Sequence, residues 1–292
     1  MRAWVIAAYR GRTLLLAVAV AAMLIWIVVD LTLLRGVDVP VSVRLSISAS
    51  AAIVLVAVGM LSVAGARMLP DVPVRTVQPP VEGRWVGLNS PASAVPSHGT
   101  RAYGQAYAID VVHEPDGPES RPTFGGRAFR AVEEYPAFGK PVLAMVAGTV
   151  VSVADSQRDH ASRSNMPGMV YLILEGAVRS LGGPRFVVGN HVTVRTTDGV
   201  FATVAHLQRG SAAVTVGEEV HAGQQVGRCG NSGNSSEPHV HAQLSDRRSF
   251  WIAEGVPVAF SGITVEGADG APAGGLPENG QAMTWRAPGR GA

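Results

Sequence analysis

The sequence predicts an all-β domain, an antiparallel sandwich or open barrel, preceded by a two-helix transmembrane hairpin. Three observations carry this reading. Long apolar runs crowd the first 69 residues, beyond residue 97 short apolar runs are broken repeatedly by glycine, and no long amphipathic helical pattern appears in that second region.

The apolar runs come first. TLLLAVAVAAMLIWIVVDLTLL, residues 13–34, carries one charge, Asp30, near its end, and LSISASAAIVLVAVGMLSVAGA, residues 45–66, carries none. Each is long enough to cross a hydrocarbon layer of about 30 Å. Between them lies the short polar turn RGVDVPVSVR. A cleaved signal peptide is the alternative for the first run, but that run is too long and a second follows. The hairpin puts both termini on one side of the lipid bilayer. Arg2, Arg10 and Arg12 precede the first span, Arg35 and Arg44 occupy the turn, and Arg67 and Arg75 follow the second. By the positive-inside rule the count slightly favours cytoplasmic termini.

Residues 70–96 are rich in proline and read as a linker. Residues 97–261 form the expected β domain. Its candidate strands include AYAIDVV (106–112), PVLAMVAGTVVSVAD (141–155), GMVYLILE (168–175), NHVTVRT (190–196) and VFATVAHL (200–207). Residues 262–292 read as a flexible tail.

Composition excludes some classes of function. The net charge of +2 is too small to argue for nucleic acid. Cys229 is the single cysteine, so neither an internal disulfide nor a cysteine-rich zinc site is possible, and any metal must be held by His, Asp or Glu. Cys229 itself reads as a small buried side chain.

All eight histidines lie beyond residue 97. In PHVHAQL, His239 and His241 stand one residue apart, so in a strand they point to the same face. That geometry suits two imidazoles converging on a metal. His98 opens the domain in PSHGTRAYGQ, His206 ends an apolar strand in TVAHL, and Asp110 interrupts the apolar run YAIDVV. A catalytic zinc site wants three N or O ligands and one open position for water. His160 reads as solvated in a polar loop, and His191 and His221 as surface positions at strand ends.

These residues resemble the lysostaphin-type zinc endopeptidases, the LytM-domain murein hydrolases. The resemblance spans about 97–260 and is strongest where AHL, VTVGEEVHAGQQVGRCG, NSGNSSEP and HVH follow in order. It implies one Zn²⁺ ion held by His98, Asp110 and His241. His206 and His239 match the family's two catalytic histidines. The substrate it implies is peptidoglycan peptide, cleaved by metal-activated water outside the cell membrane. The arginine count opposes that placement, and the five filled site positions outweigh it. Two departures stand out. Eleven residues separate His98 from Asp110, more than the family spacing, and an insertion occupies 113–140. His113 is the rival ligand to His98, but in a regular strand it would face away from Asp110. The alternative function is a non-catalytic module of the same type that binds cell wall or regulates another hydrolase.

Overall fold

The computed structural model describes residues 2–115, 120–267 and 273–287, and divides into two compact units, Met1–Asp71 and Val72–Ala292.

The first unit is helical: α1 Arg2–Arg10, α2 Arg12–Thr32 and α3 Val41–Ala66. By length and composition α2 and α3 fit membrane spans, and α2, near the N-terminus, also fits a signal sequence. Gly65 permits α3 to pack closely on α1: a Cβ there would sit 2.4 Å from the Tyr9 ring. Asp30 and Arg44, from α2 and α3, form an ion pair at 3.2 Å. The one acidic residue of α2 is thereby neutralised.

The second unit is built on a mostly antiparallel sheet of twelve strands among the described residues. Its hydrogen-bonded path runs Arg75–Val77, Val258–Val265, Ala282–Trp285, Gly83–Leu88, Ile109–His113, Val240–Ser245, Phe201–Ala205, His191–Arg195, Gly148–Ala154 and Glu219–Val220. The pair Arg75–Val77 with Val258–Val265 is parallel. A separate two-stranded ribbon pairs Gln225–Arg228 with Pro141–Leu143. Val142 and Val226 of this ribbon share one core cluster with Ile109, Val111, Val204 and Val240 of the large sheet. The core therefore lies between ribbon and sheet. Valine dominates it because β-branched side chains pack well on a pleated surface.

The structure differs from the sequence reading at both ends of the domain. Residues 70–96 hold two strands, and Gly83–Leu88 sits inside the sheet between Ala282–Trp285 and Ile109–His113. The supposed tail supplies Ala282–Trp285, with Met283 and Trp285 in the core. Both segments were too short and too proline- or glycine-punctuated to show a period. What makes them strands is the pairing partner each finds far away in the chain.

A second difference is helical. GMVYLILE belongs to α4, Met166–Leu181, and not to a strand, so the domain does contain a long amphipathic helix. Asn165 caps it, its side-chain oxygen accepting from Gly168 N at 3.0 Å, and Pro167 sits in the first turn. α5, Pro184–Val188, follows at once.

Trp85 tests the reassigned N-terminal segment. It is 1% exposed and belongs to the main core. Trp85→Ala should cost about 3–5 kcal/mol, read as a lowered denaturation midpoint. A tryptophan in a linker would leave the midpoint unchanged.

Candidate metal centre

Three neighbouring strands bring the site together. Asp110, on Ile109–His113, stands directly opposite His241 on Val240–Ser245. On its other side His241 pairs with Ala205, the last residue of Phe201–Ala205, and His206 follows. His239 lies two residues before His241, on the same face. His98 comes from the loop ahead of the 3₁₀ turn Ala102–Tyr107.

Asp110 is the hub. Its Oδ1 lies 2.9 Å from His241 Nδ1 and 3.5 Å from His239 Nε2, and its Oδ2 lies 3.1 Å from His98 Nε2. Asn89 Nδ2 also donates to Oδ2 at 2.8 Å. Ligand atoms of His98, Asp110 and His241 all fall within 4.8 Å of one another. The His206 ring centroid is 4.7 Å from that of His239 and 5.7 Å from that of His241. Asp110, His206, His239 and His241 are all buried. All five residues singled out in the sequence are thus in one place.

The groups behind the imidazoles fix which nitrogen faces inward. Gln243 Nε2 donates to Tyr103 O at 3.0 Å, so its Oε1 turns to His241 Nε2, 2.9 Å away. That oxygen only accepts, so His241 carries its proton on Nε2 and turns the Nδ1 lone pair to Asp110. Ser97 Oγ donates to Ala108 O at 2.7 Å and accepts from His98 Nδ1 at 3.0 Å, leaving Nε2 for Asp110. His239 Nδ1 donates to Glu237 O and His206 Nδ1 to Ser232 O, both at 2.8 Å. Their Nε2 atoms are the lone-pair nitrogens. Carboxylate oxygens and imidazole lone pairs facing one another repel unless a cation lies among them. The donor set of two nitrogens and one carboxylate therefore fits a metal ion, with outer groups orienting each ligand.

Without an ion, protons on the same inward nitrogens would take the cation's place. Burial works to raise the Asp110 carboxyl, but the charges of His98 and His239 and hydrogen bonds from His239 and His241 hold it well below the usual range. Burial works to lower His239, and the Asp110 charge and hydrogen bonds to Asp110 and Glu237 O reverse the sign. His206 is pushed well below its ordinary value by burial and then by His239 and His241.

The remaining histidines lie elsewhere. His113, the rival ligand, donates from Nδ1 to Arg84 O (3.1 Å) and packs on Trp85 with ring centroids 4.9 Å apart. His160 and His191, read as surface residues, are buried. His160 Nε2 donates to Gly233 O at 2.8 Å, and His191 bonds to Gly189 O and Ser152 Oγ. Both nitrogens of each are used by the protein itself, and burial lowers both pKa values. His221 is exposed.

The supporting groups went unread in the sequence. Gln243 had a signal, since it stands two residues past His241 and so shares its face. Asn89 and Ser97, at the edge of a supposed linker, had none.

Residues 131–251 match the sequence model of Peptidase family M23. That segment is therefore similar to the M23 peptidases. The match begins after Asp110, so His98 and Asp110 join His206, His239 and His241 of the M23 segment through geometry alone. Among solved structures, lysostaphin from Staphylococcus simulans is 21% identical with a TM-score of 0.30, over 53% of this chain and 45% of that one. A putative glycyl-glycine endopeptidase from Ruminococcus gnavus is 16% identical with a TM-score of 0.28, over 51% and 42%. The M23 metalloprotease pseudoalterin gives 13%, 0.35, 73% and 98%. The chain thus spans less than half the length of the first two. Likenesses this distant carry no weight for substrate or mechanism.

Two outcomes follow from the site's surroundings. Gln243→Leu keeps the volume but removes the acceptor behind His241, and should weaken zinc binding about 10–100-fold in a chelator competition titration. Cys229 is fully buried, and burial, then Asp159 and Glu237, push its thiol far up. Alkylating reagents should leave the folded protein unmodified and add a single label once it is unfolded.

Proposed function

We propose that the chain is a membrane-anchored zinc metalloendopeptidase that hydrolyses peptide bonds of peptidoglycan by metal-activated water. The observation that carries this reading is the convergence of four imidazoles, each backed by an acceptor, on one buried carboxylate in a domain similar to the M23 peptidases. His98, Asp110 and His241 hold the metal, and His206 and His239 are the catalytic pair.

A zinc ion held there would supply a Lewis acid able to polarise a scissile carbonyl and to bring the pKa of water towards neutrality. The protein's own groups do the rest. His206 and His239 present Nε2 into the same space, where one accepts the water proton and passes it to the leaving amine nitrogen, and the other, when protonated on Nε2 as well, donates to the developing oxyanion. Ser232 O and Glu237 O hold both rings in place during that transfer. Glycines in GNSGNSSEP let the backbone approach an extended peptide, and Gly233 adopts φ 75° where a Cβ would strike Val187 O at 2.5 Å.

Anchoring is read from α2 and α3 as a hairpin, with the peptidase domain on the extracytoplasmic side where peptidoglycan lies. A filled donor set favours catalysis over the non-catalytic alternative. The test is a digest of purified peptidoglycan by the full chain with and without zinc, products identified by mass. Zinc-dependent release of peptide fragments should drop by at least about 10²-fold in His239→Ala and vanish with zinc binding in His241→Ala. Stoichiometric zinc without release would favour the binding module. Absence of zinc binding by the unaltered protein would remove the metal centre.

A further inference from the structure

α4 is built inside out. Its inward face carries Gly168 and Gly176, where a Cβ would meet Ala128 O at 2.6 Å and Asn234 Oδ1 at 2.9 Å. The same face carries charge: Glu175 pairs with Arg179 at 2.8 Å and with the buried Arg163. Its outward face is aliphatic. Val170, Ile173, Leu174 and Val178 are 53%, 69%, 63% and 69% exposed. Their spacing of i, i+3, i+4, i+8 makes one stripe, the pattern a soluble helix turns to its core. Tyr171 and, on α5, Phe186 extend the stripe and are also exposed. Contiguous apolar surface of this kind marks an interaction site.

We propose that this face of α4 docks on the surface of an anionic lipid bilayer, holding the peptidase domain against it. The proposal depends on reading α2 and α3 as membrane spans. Two observations select lipid as the occupant. Only residues 67–74 separate α3 from the first strand, a tether of about 30 Å at full stretch, so the domain works within that distance of the bilayer. The apolar stripe also ends beside arginines. Arg158 and Arg185 are exposed, and Arg185 O accepts from Gln157 Nε2, which keeps the two arginines in one neighbourhood near Phe186. An aliphatic stripe rimmed by arginine suits an interfacial helix among anionic headgroups, whereas two copies face to face would oppose their arginines.

Docking there bears on the metal centre through a short path. Asn234, against which Gly176 packs, donates its backbone N–H to Val187 O of α5 at 2.8 Å. It follows Gly233 and Ser232, whose carbonyl holds His206. The docking helix and the catalytic loop are therefore packed together.

The test uses the full chain in vesicles of phosphatidylcholine and phosphatidylglycerol. Because Cys229 is buried, single added cysteines at Ile173→Cys, Val178→Cys, Thr197→Cys and Val54→Cys can be labelled selectively with an environment-sensitive fluorophore. Labels at 173 and 178 should shift to the blue and be quenched by nitroxide lipid several times more than the label at 197. The label at 54, in α3, should be quenched by lipid in every case. Labels at 173 and 178 that behave like 197 while 54 is quenched would overturn the docking and leave the anchor standing. A label at 54 outside lipid would overturn the anchor and the docking with it. Protection of 173 from aqueous iodide without lipid quenching would place a second copy on the stripe and also overturn the proposal. Equal quenching in phosphatidylcholine alone would remove the anionic requirement.

Discussion

The buried Asp110 carboxylate is the constraint on which the site is arranged. An ionised carboxylate removed from water costs several kcal/mol unless it is met by opposite charge and hydrogen bonds. Here Asn89 meets one oxygen from the end of the neighbouring strand, and His98, His239 and His241 crowd both. Each of those rings is in turn backed by an oxygen that accepts from its far side. The result is a set of fixed lone pairs and one fixed negative charge, with Asp110 and His241 held opposite each other by strand register. A divalent cation completes that arrangement better than any proton can, because a proton satisfies only one pair at a time.

Much of this was legible in the sequence, and the reasons are physical. His239 and His241 share a face because a strand repeats every two residues, and Asp110 was conspicuous because nothing else polar interrupted its run. Periodicity also marked α2 and α3, since a long unbroken apolar run has few soluble explanations. The failures have equally definite causes. Gly83–Leu88 and Ala282–Trp285 pair with each other although some two hundred residues separate them in the chain, so neither could show its strandedness locally. Trp85 and Trp285 are core residues whose burial depends wholly on that pairing.

The misreading of α4 has another origin. Its sequence MPGMVYLILEGAVRSL has the density of apolar residues expected of a buried strand, and in the fold those residues face outward. The small and charged residues, usually solvent-facing, make its internal contacts. His160 and His191 failed similarly: polar neighbours in sequence suggested exposure, and both are buried. What separates them from the site histidines is the accounting of their nitrogens. His191 satisfies both within the protein, whereas His98, His206, His239 and His241 each use one on a backing acceptor and turn the other to a common centre.

Backbone conformation supports the same centre independently of side-chain chemistry. Among the described residues, the non-glycine residues with positive φ are Asn89 (44°), Tyr103 (60°) and His206 (61°). This region costs a non-glycine residue of order 1 kcal/mol, least for asparagine. All three serve the site. Asn89 bonds Asp110, Tyr103 O orients Gln243 behind His241, and His206 turns its ring from the end of its strand. Strain scattered by chance over the domain would not select three supports of one carboxylate cluster. It persists because the surrounding sheet, with Leu88 opposite Asp110 and Ala205 opposite His241, over-determines where these residues must stand. The fold therefore gives up some stability at the places where ligand position has to be exact to a fraction of an ångström, and recovers it in the valine core that the same strands bury on their other face.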